Sequence, residues 1–200
     1  MLYFHGISLQ KRQHMNYIQH MIRILRFEEN VYREVIIQNR LSLWYTAINV
    51  SVFGLIYGIS AIYFSQYLLA SQSPEPLSLH IRMTLVLMGI SVAFLIHGGM
   101  ALFAWVFCRG FGGSTLFLPV YLALGMAWIS LWPMAPVVAA TQVKLSGGLL
   151  YLYLFAASAF ALTIVFHALK SASGLSFVRM LIVSAVVILY IGCFMYLWVG

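Results

Sequence analysis

The sequence predicts an all-α polytopic membrane protein: a five-helix transmembrane bundle preceded by an amphipathic segment. Three observations carry this. Of 200 residues 63% are hydrophobic and only 8% charged, too little charge to cover a soluble domain of that length. The apolar residues come in blocks, each long enough to cross hydrocarbon. The basic residues flank those blocks instead of scattering among them.

The first element is residues 1–42, the one substantial polar segment, read as a cytoplasmic basic amphipathic stretch. From about Ser8 to Arg40 no Gly or Pro interrupts it, so it reads as helix. Ile18, Ile22, Leu25, Tyr32 and Ile36 recur near helical spacing. Lys11, Arg12, Arg23, Arg26, Arg33 and Arg40 surround that stripe. Such a helix beside a span either lies in the headgroup layer or packs on the bundle's own inner face, and the two are compatible. Arg23, Arg26, Arg33 and Arg40 are the candidate lipid or headgroup contacts, with Arg109 further on.

Residues 43–200 hold the five expected spans, at about 43–69, 83–107, 115–132, 149–169 and 178–199. Each fits one tilted crossing, and each must be helical because lipid offers the backbone no partner. Links at 70–80, 108–114, 133–148 and 171–177 are short enough to set consecutive helices antiparallel. The third block, followed by Pro133 and Pro136, is the one that could instead be re-entrant. Nine of the eleven bases fall on the side of the N-terminus and two, Arg82 and Lys144, on the other. That bias predicts a cytoplasmic N-terminus and an external C-terminus. Trp44 and Trp105 near inner ends, with Trp132 and Trp198 near outer ends, read as an aromatic belt. Lean loops point to a bacterial inner membrane. No cleaved signal peptide is evident in the first residues.

Small residues mark expected helix–helix seams: Gly54 and Gly58 in the first span, then Gly89, Ala93, His97 and Ala101 in the second. Ala157 and Ala161 do so in the fourth, and Ser184 and Gly192 in the fifth. Such residues let backbones approach where lipid supplies no hydrophobic drive, although Gly and Ala are frequent in all spans.

The chemistry is defined by what is missing. The four acids are Glu28, Glu29, Glu34 and Glu75, and there is no Asp. No expected span carries a carboxylate, which disfavours ion-coupled pumping, hard-metal binding and hydrolysis. No enzyme activity, resident metal or cofactor is expected, and the placement of the bases argues against nucleic acid. Cys108 and Cys193 fall toward opposite faces, which disfavours a disulfide. Among the polar residues within spans, Asn49, His97 and His167 stand out. His97 reads as a histidine bonded between helices. The alternative is a haem or metal ligand, with His167 as partner at a depth mismatch of about 12 Å. The turn Cys108-Arg109-Gly110-Phe111-Gly112-Gly113-Ser114 reads as a tight turn that needs glycine, with Ser114 as a helix N-cap. An anion or headgroup site at Arg109 and the free backbone amides is the alternative.

The order of parts resembles the Yip family of Ypt/Rab-interacting membrane proteins and their prokaryotic relatives. A cytoplasmic segment precedes five spans. A Gly-Gly turn, Gly112-Gly113-Ser114-Thr115-Leu116-Phe117, follows the second, and the third carries Val120-Tyr121-Leu122-Ala123-Leu124-Gly125 before Pro133 and Pro136. Gly147-Gly148 opens the fourth, and Lys170-Ser171-Ala172-Ser173-Gly174 precedes the last. The resemblance covers roughly residues 30–200. It implies a non-enzymatic five-helix bundle of prokaryotic type. Eukaryotic members are associated with Rab-type GTPases, but this chain lacks their longer N-terminal domain and has no Asp for their acidic motif, so GTPase binding does not carry over. The expected role is a scaffold or accessory subunit that binds membrane lipids and other integral membrane proteins. A transporter or channel module for a small neutral or anionic solute is the second expectation, and a haem-bearing electron-transfer subunit through His97 the third.

Overall fold

The computed structural model describes residues 16–36, 39–69, 76–113 and 116–199. Among them the chain is all-helical: α1 (Tyr17–Leu25), α2 (Glu29–Ile36), α3 (Asn39–Leu69), α4 (Leu79–Gly110), α5 (Phe117–Ala127), a 3-10 turn (Trp128–Leu131), α6 (Met134–Gln142), α7 (Gly148–Ser173) and α8 (Phe177–Val199). The first residues of the amphipathic segment, with Lys11 and Arg12, lie outside the described residues, as do the Ser114 N-cap and Glu75.

Three helices, α3, α4 and α7, are long and apolar enough to cross a membrane. At 1.5 Å per residue, α3 and α4 each exceed 45 Å by a little, well beyond the hydrocarbon thickness of about 30 Å. Helix α8 contributes a shorter apolar stretch, Phe177–Cys193.

The third apolar block corrects the sequence reading. It is not a straight helix ending near Trp132 before a plain link. The link region contains α6, and Phe117–Leu131 and Met134–Gln142 form a pair bent by 73°, a broken span or a re-entrant element. Pro133 explains the break, since it has no N–H to continue the i→i+4 bonding and its ring blocks the preceding turn, whereas Pro136 sits in the first turn of α6, where its missing N–H costs little. Trp132 is half-buried, and its indole N–H donates to the Asn49 carbonyl at 3.0 Å.

The amphipathic segment is also not one helix. It breaks at Arg26–Glu28, where Phe27 adopts φ +64°. The Phe27 N–H donates to the Ile24 carbonyl at 3.0 Å and the Glu28 N–H to the Arg23 carbonyl at 3.1 Å, a paired closure of the helix end. A left-handed phenylalanine costs roughly 1–2 kcal/mol. Its ring lies 5.8 Å from that of Phe160 and 5.9 Å from that of His167, contacts that offset the cost.

The resulting hairpin packs on the bundle. Met21, Ile24, Val31, Tyr32 and Val35 are buried, whereas Ile18 and Ile22 of the predicted stripe are exposed. Of the stripe, Tyr32 is buried and Leu25 and Ile36 pack against the core, whereas Ile18 and Ile22 form an outward apolar edge with Phe27.

Helices α3 and α4 meet through glycine. A methyl group on Gly54 would lie 2.5 Å from the Ile90 Cα, one on Gly58 2.7 Å from the Val86 Cα, and one on Gly89 2.6 Å from the Gly54 carbonyl oxygen. The two backbones touch, and no side chain fits between them. Ala93, His97 and Ala101 continue this buried face of α4. Ala161 is buried and Ala157 and Ser184 are half-buried. Gly192 departs from the expectation: it is exposed, and a methyl group there meets nothing within 4 Å among the described residues.

Candidate functional site

The broken element α5–α6 is where the hairpin, α3, α4 and α7 converge, and its polar anchors define the candidate site. Where i→i+4 bonding gives way to the tighter 3-10 turn, carbonyls at the switch need other donors. Asn49 supplies them. Its amide Nδ2 donates to the Gly125 carbonyl at 3.1 Å and the Met126 carbonyl at 3.2 Å. Its Oδ1 accepts from the Tyr17 hydroxyl of α1. One side chain thus ties the hairpin and the first span to the break. Gly125 is required at this point, because a methyl group there would collide with the Thr46 side chain.

His97 lies on the other side of the break, fully buried. Its ring centroid is 4.4 Å from that of Tyr121 and 5.4 Å from that of Trp128. Neither its ring nitrogens nor the Trp128 indole N–H has a hydrogen-bond partner among the described residues. The interhelical hydrogen bond expected for His97 is therefore replaced by aromatic packing. Beside it is a cavity of about 100 Å³ lined by Phe53, Gly89, Ala93, Trp128 and Met134, an almost wholly apolar space.

His167 sits elsewhere. Its Nδ1 is 2.8 Å from Glu29 Oε1, and Lys170 Nζ donates to the same oxygen at 3.0 Å. The Ser171 hydroxyl donates to the Glu29 backbone carbonyl at 3.2 Å. This cluster clips α2 onto α7. The hydrogen bonds from His167 and then Lys170 hold the Glu29 carboxyl below its ordinary range. His167 is thus bonded to Glu29 and not paired with His97. Among the described residues no group of three metal-ligating side chains forms.

The basic candidates divide. Arg23 is held within the hairpin, at 2.7 Å from Glu28 and 2.8 Å from Glu34. Arg26, Arg33, Arg40 and Arg109 are exposed, and Arg109 stacks on the Trp105 ring at 5.7 Å. The glycine turn is a helix stop: Gly113 N–H donates to the Cys108 carbonyl at 2.8 Å, Gly112 N–H to the Arg109 carbonyl at 3.1 Å, and Gly112 adopts φ +84°. Its carbonyl at Phe111 accepts from Arg179 at 3.0 Å. Cys108 is buried and Cys193 exposed, and both are free thiols.

Sequence reasoning singled out Asn49 and His97 but not Glu29. The signal was legible in part, because His167, Lys170 and Ser171 share a helix face at i, i+3 and i+4, and few acids exist to meet them. No family model, curated protein or solved structure matches the chain.

Proposed function

We propose that this protein crosses the membrane five times, with α8 as the last span and the broken α5–α6 element as the third, and that it acts without catalysis. In this reading it is a scaffold or accessory subunit that binds other integral membrane proteins or lipids. The observation that carries it is how little of each long span the chain covers itself: 28% of the most apolar stretch of α3, 28% for α4 and 17% for α7 are buried. Leu149 is 84% and Phe155 73% exposed, on a helix whose polar end is occupied by the Glu29 clip. The described polar groups near the break serve mainly to hold the fold together. The resemblance to prokaryotic Yip relatives points the same way, with the N-terminus cytoplasmic.

The test is isolation of the tagged chain in mild detergent with quantitative identification of what accompanies it. A partner in fixed ratio is expected. A bare monomer in every detergent and in lipid nanodiscs would overturn the scaffold role. Cysteine-accessibility labelling checks the span count, and both chain ends reacting in one compartment would contradict it.

One observation favours a second reading, a passage for a small neutral or anionic solute. Broken helices line substrate sites in transporters, and here the break adjoins His97 and Trp128 with no hydrogen-bond partner for either ring among the described residues. Solute flux in liposomes that is unchanged in His97→Ala would remove that support. For the haem reading, a visible spectrum of the purified protein without a Soret band is decisive.

A further inference from the structure

The cavity of about 100 Å³ beside the break is walled by five elements. Phe53 comes from α3, Met100 from α4, Trp128 from the 3-10 turn, Met134 and Val138 from α6, and Ile191 from α8. It is partly open to the surface. Native interiors hold few voids larger than a water molecule, because lining atoms without neighbours forfeit dispersion contacts. A space of this size is therefore one that an occupant would stabilise.

The walls select that occupant by polarity, size and shape. They present almost no polar surface. Tyr57 also lines the cavity, but its hydroxyl is committed to Gln142. Water needs two to four polar partners, and these walls offer almost none. A charged guest would lose its hydration with no counterion in return. By size, a dry apolar cavity of about 150 Å³ holds benzene, so this one has room for one ring and not for two. Met100 and Met134, unbranched and flexible, can shift to admit it. By shape, Phe53 and Trp128 meet edge to face with centroids 5.0 Å apart and planes at 83°, an aromatic corner in the wall. A third ring completes that corner with contacts of the same kind, and the two thioethers gain further from a ring edge. An alkane of equal volume has neither gain.

We propose that this cavity binds a small, uncharged, single-ring aromatic molecule. The inference depends neither on the scaffold role nor on passage of a solute, since binding is read without partner or flux.

The full chain is labelled with methyl-13C methionine, purified in a fixed detergent and titrated with benzene. The Met100 and Met134 signals are assigned through Met100→Leu and Met134→Leu. A bound ring should shift both methyl signals through its ring current, and the shifts should saturate. Met83, 60% exposed, reports benzene dissolved in the micelle and should change in proportion to the amount added. Ala93→Leu and Val138→Phe each add carbon to the cavity wall, and either should abolish the saturable shift. An equal amount of cyclohexane, similar in shape but without a π face, should leave most of the shift in place. Shifts at Met100 and Met134 that grow without limit as at Met83 would mean a packing void only and overturn the proposal. So would saturation retained in both filled variants, or cyclohexane competing as well as benzene binds. Where neither filled variant folds, the methionine map of the unaltered chain decides.

Discussion

The α3–α4 pair and the α5–α6 element adhere to the bundle by opposite means. Between α3 and α4 three glycines bring backbone against backbone, and no side-chain hydrogen bond is needed at their contact. At α5–α6 the backbone itself is broken: Asn49 donates to two of its carbonyls, and Tyr17 and Trp132 tie the hairpin and the break to Asn49 in turn. The contrast shows two answers to one constraint. In an apolar medium a helix must either satisfy its own backbone and rely on close packing, or recruit polar partners where it departs from helical bonding. The first answer tolerates no added atom, and the second tolerates no lost donor.

That contrast breaks most sharply at Gly54. Its hypothetical methyl group meets main chain at 2.5 Å, which can yield only by parting the helices. Gly54→Ala is expected to destabilise by about 3 kcal/mol, the upper range of overpacking, read as the shift in midpoint of unfolding in a fixed detergent mixture. Gly192→Ala adds the same methyl group on an exposed face and should change stability by less than about 0.5 kcal/mol. Equal effects at the two sites would mean that the α3–α4 approach is not what holds the pair.

The polar half is probed at Asn49. Asn49→Leu keeps the volume but leaves two carbonyls without their donor and the Tyr17 hydroxyl without its acceptor. A loss of about 2 kcal/mol is expected. Hydrogen exchange should rise first in α1 and around Trp128–Leu131, while α3–α4 stays protected. Uniform loss of protection would show that the two regions are one cooperative unit. Gly125→Ala tests the same joint from the packing side. Its methyl group collides with a side chain instead of a backbone, so the cost should be smaller, about 1–2 kcal/mol. Thr46→Ala in the same chain should recover part of it, because two of the atoms in the way are removed.

Much of the first region was legible in the sequence, and little of the second. Gly54, Gly58 and Gly89 sit in an unbroken apolar pattern, where four-residue spacing translates directly into a helix face. Pro133 and Pro136 announced a disturbance but not its geometry, because proline limits its own residue and the one before it without fixing how the chain resumes. The break at Phe27 gave no signal at all: no Gly or Pro is present, and the left-handed turn is held by tertiary contacts to Phe160 and His167. The Asn49 bonds were hidden for the same reason, since their acceptors lie 76 and 77 residues downstream. Asn49 and His97, both buried polar residues of the spans, drew the same sequence expectation of a bond across helices. Only Asn49 has one among the described residues, because the break exposed carbonyls within its reach, whereas His97 faces the aromatic rings of Tyr121 and Trp128.

The smallest effect belongs to the Glu29 clip, which lies outside both regions and adds a second tie between the hairpin and the bundle. His167 and Lys170 lower the Glu29 carboxyl from its ordinary value near 4.5. Because the folded-state value is depressed, the clip contributes its full stability above that ordinary value and loses it as pH falls through the lower, folded-state value. The side chains involved are each about a third exposed, so solvent screening keeps the contribution below about 1 kcal/mol. Acidification below about pH 4.5 should therefore raise hydrogen exchange in α2 before it affects α3 or α4. Glu29→Gln, which keeps the shape and removes the charge, should show the raised exchange already at neutral pH and flatten its pH dependence. An α2 whose exchange in Glu29→Gln still rises on acidification to the same extent would show that the Glu29 clip is not what holds α2 on α7.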